Sequence, residues 1–363
     1  MNNRLKSILV LTLLVTLPLI VKADYQLYGL AHLSSDMVRT GGENKFAMGS
    51  NGSRLGFKGS EELALSMQVV WKLESQFDFT GESATIKGRN RYLGVVSPFG
   101  TVVGGYQDTP MRTLGMKVDV MEDSLADRRS VIGAVRDQYE AVTTDRFNLR
   151  ARRSIMYVSP RIAGLQVRAM IALREFGNFS KDYTAGHTEM LTSYSAVYKT
   201  QLFYIGAAYE EQDYLTATSV TRFSGGFNLT DTDLNLIYEI MDSGKESVLD
   251  RKGYGASLRY WFYDTALIAQ GFYAGDDFHN LNSNGLMMAA GLLQRMSKNV
   301  ELYIIAAGVK NDALGAYSLG AAGVKNDAPG SYAFGAADHG ESFLPVAYGG
   351  DLLGVSLGMT YTF

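Results

Sequence analysis

LGVSLGMTYTF, Leu353 to Phe363, alternates strictly from end to end. Leu353, Val355, Leu357, Met359, Tyr361 and Phe363 make one face, and Gly354, Ser356, Gly358, Thr360 and Thr362 the other. Successive side chains of a strand point to opposite faces, so this is a strand with an apolar face and a small, polar one. Left as an open edge in water it would template aggregation. The edge disappears if the strand pairs with one from the far end of the chain, and YQLYGLAHL (Tyr25 to Leu33) is the expected partner.

Period two recurs through the chain. Between Leu65 and Phe79, the residues Leu65, Met67, Val69, Trp71, Leu73, Phe77 and Phe79 face Ser66, Gln68, Lys72, Glu74, Gln76 and Asp78 across the strand. The same holds for Leu165 to Leu173 against Gln166, Arg168 and Arg174, and for Tyr254 to Phe262 against Gly255, Ser257 and Arg259. Such strands are long for a soluble sheet and suit a tilted membrane strand of about ten residues. Tight connections (SEEL, SPFG, PRIAG, Lys199-Thr200, DTD, YDT, SKN) alternate with longer polar runs at 35–50, 80–88, 175–188, 211–217, 242–250 and 275–282. Short turns at one end and long loops at the other describe an outer-membrane barrel. The count is sixteen antiparallel strands, even, as closure with both termini at one end requires. The expected fold is therefore all-β, a sixteen-stranded antiparallel transmembrane β-barrel.

Composition agrees. The chain holds 39 Gly, 22 Tyr and 17 Phe against 6 Pro, a Gly-rich and aromatic-rich balance typical of such barrels. Residues 1–23 read as a secretory signal peptide: basic Arg4 and Lys6, an apolar run Ile8 to Val21, and a small-residue end Val21-Lys22-Ala23. The barrel domain is then 24–363, and loss of Arg4, Lys6 and Lys22 takes the formal charge from −3 to −6. Net acidity argues against a nucleic-acid partner. The lack of cysteine excludes disulfides and thiolate metal sites. No catalytic residue, metal site or cofactor is expected. His187, His279 and His339 fall in loops, His32 stands apart, and no G-x-S-x-G elbow accompanies them. The Gly clusters do not follow a strand and open a helix, so they are not phosphate loops.

Two stretches stand out. AAGVKNDALGAYSLG (Ala306 to Gly320) is followed at once by AAGVKNDAPGSYAFG (Ala321 to Gly335). Two copies make no solenoid; they read as a duplication lengthening a last extracellular loop at 306–350. The second stretch is 107–149, a long connection between GTVVGGYQ and SIMYVSP that carries Asp119, Glu122, Asp123 and Asp127 together with Arg128, Arg129 and Arg136. Loops of this length are usually functional. This one is expected to fold back into the barrel and narrow it.

GSRLGFKGSEEL (Gly52 to Leu63), RNRYLGVVSPFGTVVGGYQDTP (Arg89 to Pro110), RRSIMYVSPRIAGLQV (Arg152 to Val167) and the terminal TYTF, in this order and spacing, resemble the Gram-negative general porins. The resemblance covers essentially the whole chain after the leader. It implies a homotrimeric outer-membrane channel, seated in lipid and lipopolysaccharide, that passes ions and small hydrophilic solutes by passive diffusion. The terminal Phe also resembles the signal read by the outer-membrane assembly machinery. The family's constriction sets loop acids against a basic ladder on the wall. Carried onto this chain, the acids are Asp119, Glu122, Asp123 and Asp127, and the ladder is Arg54, Lys58, Arg89, Arg91, Arg150 and Arg152. Strand phase points Arg54, Lys58, Arg150 and Arg152 inward; around Arg89 and Arg91 it points Asn90 and Tyr92 inward instead. Opposed fixed charges across a narrow, wet gap bias ion selectivity. The alternatives are a substrate-specific channel, which an inner aromatic rail beyond Tyr92 and Trp261 would mark, or a loop-mediated adhesin or receptor-binding barrel.

Overall fold

A computed structural model describes residues 23–81, 86–133, 135–136, 143–144, 146–174, 189–212, 218–242, 250–276, 282–312, 332–333, 345–346 and 350–363. The expected leader lies outside them apart from Ala23, as does nearly all of the second repeat copy. The strands are β1 (Ala23–Thr40), β2 (Glu43–Ser50), β3 (Arg54–Glu62), β4 (Gln68–Gln76), β5 (Lys87–Ser97) and β6 (Gly100–Asp108). After the long loop come β7 (Arg150–Val158), β8 (Leu165–Arg174), β9 (Glu189–Lys199), β10 (Phe203–Gln212), β11 (Thr218–Asn228) and β12 (Thr232–Asp242). The last five are β13 (Arg251–Phe262), β14 (Thr265–Ala274), β15 (Gly285–Arg295), β16 (Val300–Asn311) and β17 (Leu352–Thr362).

All neighbours are antiparallel, and the sheet closes. β1 pairs with β17 from Leu30↔Thr362 to Thr40↔Leu352. On its other side it pairs with β3 over Ala23 to Leu30 and with β2 over Leu33 to Thr40. β2 and β3 are thus halves of one stave, interrupted at Asn51-Gly52-Ser53. Counted so, the 17 hydrogen-bonded segments make sixteen staves, a closed sixteen-stranded β-barrel. Closure pairs the edge left open by the sequence of β17 and satisfies the backbone where no water reaches it.

Exposure follows the alternation. Leu93, Ile155, Leu236, Leu353 and Leu357 stand exposed on the outer face, with Leu93 as much as 61% exposed. Their inward neighbours include the buried Glu74, Arg222, Glu239 and Ser356. A soluble protein does not expose apolar surface so continuously; a lipid-facing one must.

Three boundaries differ from expectation. The run 35–50 is a strand hairpin turning at Gly41-Gly42, because Ser34, Asp36 and Val38 continue the inward phase of β1 into what composition marked as a loop. Leu65 and Ser66 adopt positive φ (61° and 57°) in the turn before β4, so that strand starts later than its alternation suggests. Ala306 to Asn311, the start of the first repeat copy, belongs to β16 and pairs with β15 and β17, so the last loop begins after it.

Two β-bulges flank the point where the long loop leaves. One lies opposite Leu73/Ser75 in the β4–β5 ladder, the other opposite Gly105/Gln107 in the β6–β7 ladder. Bulges re-aim side chains and concentrate near functional sites. Gly105 (φ 149°) stands beside the second, where a Cβ would run into the Arg91 carbonyl oxygen of β5. We expect Gly105→Ala to destabilise this part of the barrel by about 1–3 kcal/mol. A lower temperature for the folded-to-unfolded mobility shift on semi-native gels would report it.

Candidate constriction site

Beyond Asp108 the chain turns into the lumen. Thr109 caps a short helix α1 (Pro110–Gly115): its side chain accepts from the Arg112 backbone N–H at 3.1 Å, and Pro110 stands at a first-turn position where no N–H is missed. Met111 and Leu114 bury against Val197, Tyr204, Ala208, Val220 and Met241 on the inner wall. At the loop's root, Asp108 Oδ1 is shared by Arg112 Nε (2.7 Å) and Arg150 Nε (3.0 Å), while Asn90 Nδ2 donates to its other oxygen at 2.7 Å.

Further along, the loop is held to the wall made by β11 to β16. Val118, Met121, Leu125, Val131 and Ile132 join Ile237, Ile268, Phe272, Met287 and Ile305 in one buried cluster. An irregular backbone buried in this way needs polar partners, and inward side chains supply them. Gln270 accepts from Val120 N–H (3.1 Å) and donates to Ala126 O (2.6 Å) and to Asp119 Oδ1 (3.1 Å). Ser257 donates to Val118 O. Glu239 accepts from Gly133 N–H at 2.9 Å and from Arg222 Nε at 2.9 Å, while Arg222 Nη1 donates to Met111 O at 3.0 Å. The passage left open is bounded by the loop and by the opposite wall, β1 to β6.

The loop's acids are engaged inside it. Asp127 receives Arg129 Nε on both oxygens at 3.0 Å, and Asp123 receives Arg129 Nη2 at 2.6 Å. Burial pushes both carboxyls up, but the guanidinium of Arg129 outweighs it and holds them below the usual carboxylate range. Asp119 accepts the Met121 and Arg128 N–H groups; burial, then Asp127, lift its carboxyl to about 8. Burial, followed by Asp123, also raises Glu122, a half-buried group that makes no hydrogen bond or ion pair among the described residues. Arg128 is lowered to about 10 by burial and by Arg222, and stays charged.

Asp123 (φ 57°) is the contact between loop and opposite wall. Arg54 Nη1 lies 3.4 Å from its carboxylate. The carboxylate fits the break between β2 and β3 because that position is Gly52 (φ 63°): a Cβ there would sit 2.5 Å from Asp123 Oδ2. The stave is interrupted where the loop tip enters it.

Below Arg54, Lys58 and Lys72 are Cα partners across β3 and β4, and their ammonium groups flank the Tyr28 ring at 5.4 and 5.3 Å from its centre. Glu74 is the acid among them, bound by Tyr28 Oη (2.7 Å), Lys72 Nζ (3.1 Å) and Arg89 Nε (3.0 Å); Arg89 also donates to Gln76 Oε1 at 3.1 Å. The expected residues therefore divide. Arg54 and Lys58 lie on the inner wall. Arg89 lies there too, against its simple phase, because the β5 bulge adds a residue. Arg91 does not: it is exposed on the outer face with Leu93 and donates to Ser75 Oγ at 3.0 Å. Arg152 departs likewise. The bulge at Arg153 (φ 50°) turns Ala151 inward against Met170 and Ala172, leaving Arg152 exposed beside the Tyr106 ring, 5.8 Å from its centre. Arg150 is drawn into the Asp108 knot. Sequence reasoning passed over Lys72 and Glu74, although both fell on the wet face of their strand, and it could not foresee Gln270 or Arg222 as anchors.

A barrel with an inward loop and a charged gap defines a diffusion channel. A model of the Gram-negative porin family matches residues 10–314, and the chain belongs to that family. It is 25% identical over 274 residues to the major outer membrane protein P.IB of Neisseria gonorrhoeae, covering 69% of this chain and 73% of that one. Among solved structures it is similar to the anion-selective porin from Comamonas acidovorans (TM-score 0.75, 18% identity, 94% and 100% of the two chains). It is also similar to the OmpF of Salmonella typhi solved in complex with daunomycin (TM-score 0.66, 14% identity, 93% and 97%). The protein is an outer-membrane porin, a water-filled channel for passive diffusion of ions and small hydrophilic solutes.

Two outcomes follow from the loop geometry. Gly52→Ala displaces Asp123 and frees the tip, so single-channel current noise rises while the barrel stays folded. The Asp119 carboxyl is held high in the folded loop, so its ionisation weighs against that fold as pH rises from the ordinary carboxylate range through about 8. Loop-dependent current noise should therefore grow between pH 6 and 9 in the parent channel, and remain flat in Asp119→Asn.

Proposed function

We propose that the constriction favours small anions. The observation that carries this is an imbalance: Asp123 and Asp127 are bound to Arg129 within the loop, whereas on the wall Lys72 and Arg89 share one acid, Glu74, Arg54 reaches Asp123 only at 3.4 Å, and Lys58 forms no salt bridge among the described residues. On this reading the wall cations set selectivity, and the loop acids fix the loop's shape more than they face the ions. Glu122 is the loop acid that meets permeating ions. Arg150 and Arg112 act at the loop's root, and Arg91 and Arg152 take no part in the gap. The similarity to an anion-selective porin supports the same sign.

The wider setting follows the family. Residues 1–23 direct export, assembly machinery of the outer membrane inserts the barrel, and three copies associate in lipid and lipopolysaccharide. Vibrio cholerae OmpT, to which the chain is similar at TM-score 0.64, was solved in a trimer form. The channel carries no cofactor and performs no covalent chemistry on this reading.

The test is the reversal potential of the purified channel in a planar bilayer under a KCl gradient. The expected sign is anion preference. One unit charge at about 5 Å in water is worth about 0.8 kcal/mol before salt screening. Arg54→Ala should accordingly lower the chloride-to-potassium permeability ratio by up to about fourfold and raise conductance. A cation-preferring parent channel, or an Arg54→Ala channel with an unmoved potential, would refute the assignment.

A further inference from the structure

We propose a second anion site in the lumen, on the periplasmic side of the loop and away from the Arg54 wall, that holds a phosphate-type oxyanion. It is built from Lys117 on the loop, Arg168 on β8, Lys199 at the end of β9 and Arg161 in the β7–β8 turn. It rests on the reading of the channel as anion-conducting and adds to it a place where a doubly charged anion lingers.

The four cations come from separate parts of the chain and meet through traceable contacts. Lys117 follows α1, and its ammonium lies 5.5 Å from the centre of the Tyr204 ring. Tyr204 is the Cα partner of Lys199 across β9 and β10. The Lys199 N–H donates at 2.9 Å to Gly164 O, which also accepts Arg161 Nη1 at 2.9 Å; Arg161 Nη2 reaches Gln166 Oε1 at 3.2 Å. Arg168 follows Gln166 on the same inward face, since Leu165, Val167 and Ile171 are exposed on the outer one.

No carboxylate forms a salt bridge with any of the four among the described residues. The acid that acts on Arg168 is Asp108, already held by Arg112 and Arg150. Like charges gathered without counter-ions repel, and Lys117 registers it: burial, then Lys199, Arg168 and Arg161, pull its ammonium below the usual lysine range. Loops and turns could have scattered these side chains. The fold instead brings Arg161 and Lys199 together at Gly164, whose carbonyl accepts from the guanidinium of one and the backbone N–H of the other. Guanidinium forks suit a tetrahedral oxyanion bidentately, while lysines add point charge. A dianion gains about twice what chloride gains from the same four charges, and its several oxygens can engage more than one of them at once.

The experiment uses the full channel in a planar bilayer carrying chloride current, with inorganic phosphate added to one side and then the other. We expect phosphate to reduce the current more strongly from one face, and Lys117→Gln with Arg168→Gln to weaken that block at least fivefold and abolish its sidedness. Arg54→Ala should keep the block. Unitary KCl conductance of the double variant within twofold of the parent shows that barrel and loop are intact; if it is not, Lys199→Gln and Lys117→Arg are read instead, with partial loss expected for the first and retention for the second. Equal block of parent and variant, or no block of the parent, overturns the site. The reversal potential in KCl alone reports the anion reading of the constriction separately, so the two can fail independently.

Discussion

A bilayer has no water to satisfy a stray peptide group, and everything in this molecule answers to that. The pairing of Leu30–Thr40 with Leu352–Thr362 lets strands cross lipid, because it leaves no unpaired edge. Once the sheet is closed, side-chain direction follows the alternation: most apolar residues go out to lipid and most polar ones go in, apart from the inward Ile237, Ile268 and Phe272 that pack on the loop and the outward Arg91 and Arg152. The lumen is therefore wet and charged before any question of selectivity arises.

The same rule extends to the loop inside. A long irregular backbone can be buried within the barrel only if its N–H and C=O groups find partners. Here the inward faces of β11 to β14 present Arg222, Glu239, Ser257 and Gln270 at the needed places. The wall that anchors the loop is thus lined with paired groups. The wall across the gap meets the loop at Gly52 and Arg54, and below that contact it carries Lys58 and Lys72 side by side. On the proposed reading, selectivity and scaffolding are divided between two sides of one sheet.

Period two made the barrel legible, and it worked wherever strands ran regularly. Leu165 to Arg174 and Leu353 to Phe363 needed no correction in phase. It misjudged Arg89 and Arg152 for one physical cause: a bulge adds a residue and flips the phase beyond it, and side-chain hydrophobicity carries no mark of the extra residue. The glycine at Gly105 was visible, but a glycine in a Gly-rich barrel does not announce its φ. Likewise the loop's charges were countable, whereas their pairing was not. Asp123 and Asp127 look like free acids in a string of letters, and only the fold brings Arg129 back onto both.

That pairing bears on how charge should be read in a channel. The whole chain is acidic, with a formal charge of −3, yet net charge averages over residues no ion meets. Ions in the gap respond to charges within about a Debye length, about 8 Å at physiological salt, and to those not already neutralised by a neighbour. Applied here, the filter discards Asp119, Asp123, Asp127, Arg129 and Arg150 as members of internal clusters. It retains Lys58, with Lys72 and Arg89 on their shared acid Glu74 and Arg54 at 3.4 Å from Asp123, against Glu122 on the loop. The remainder is positive although the protein is negative. On the proposed reading, the sign of the passage is set by which charges the loop keeps for itself.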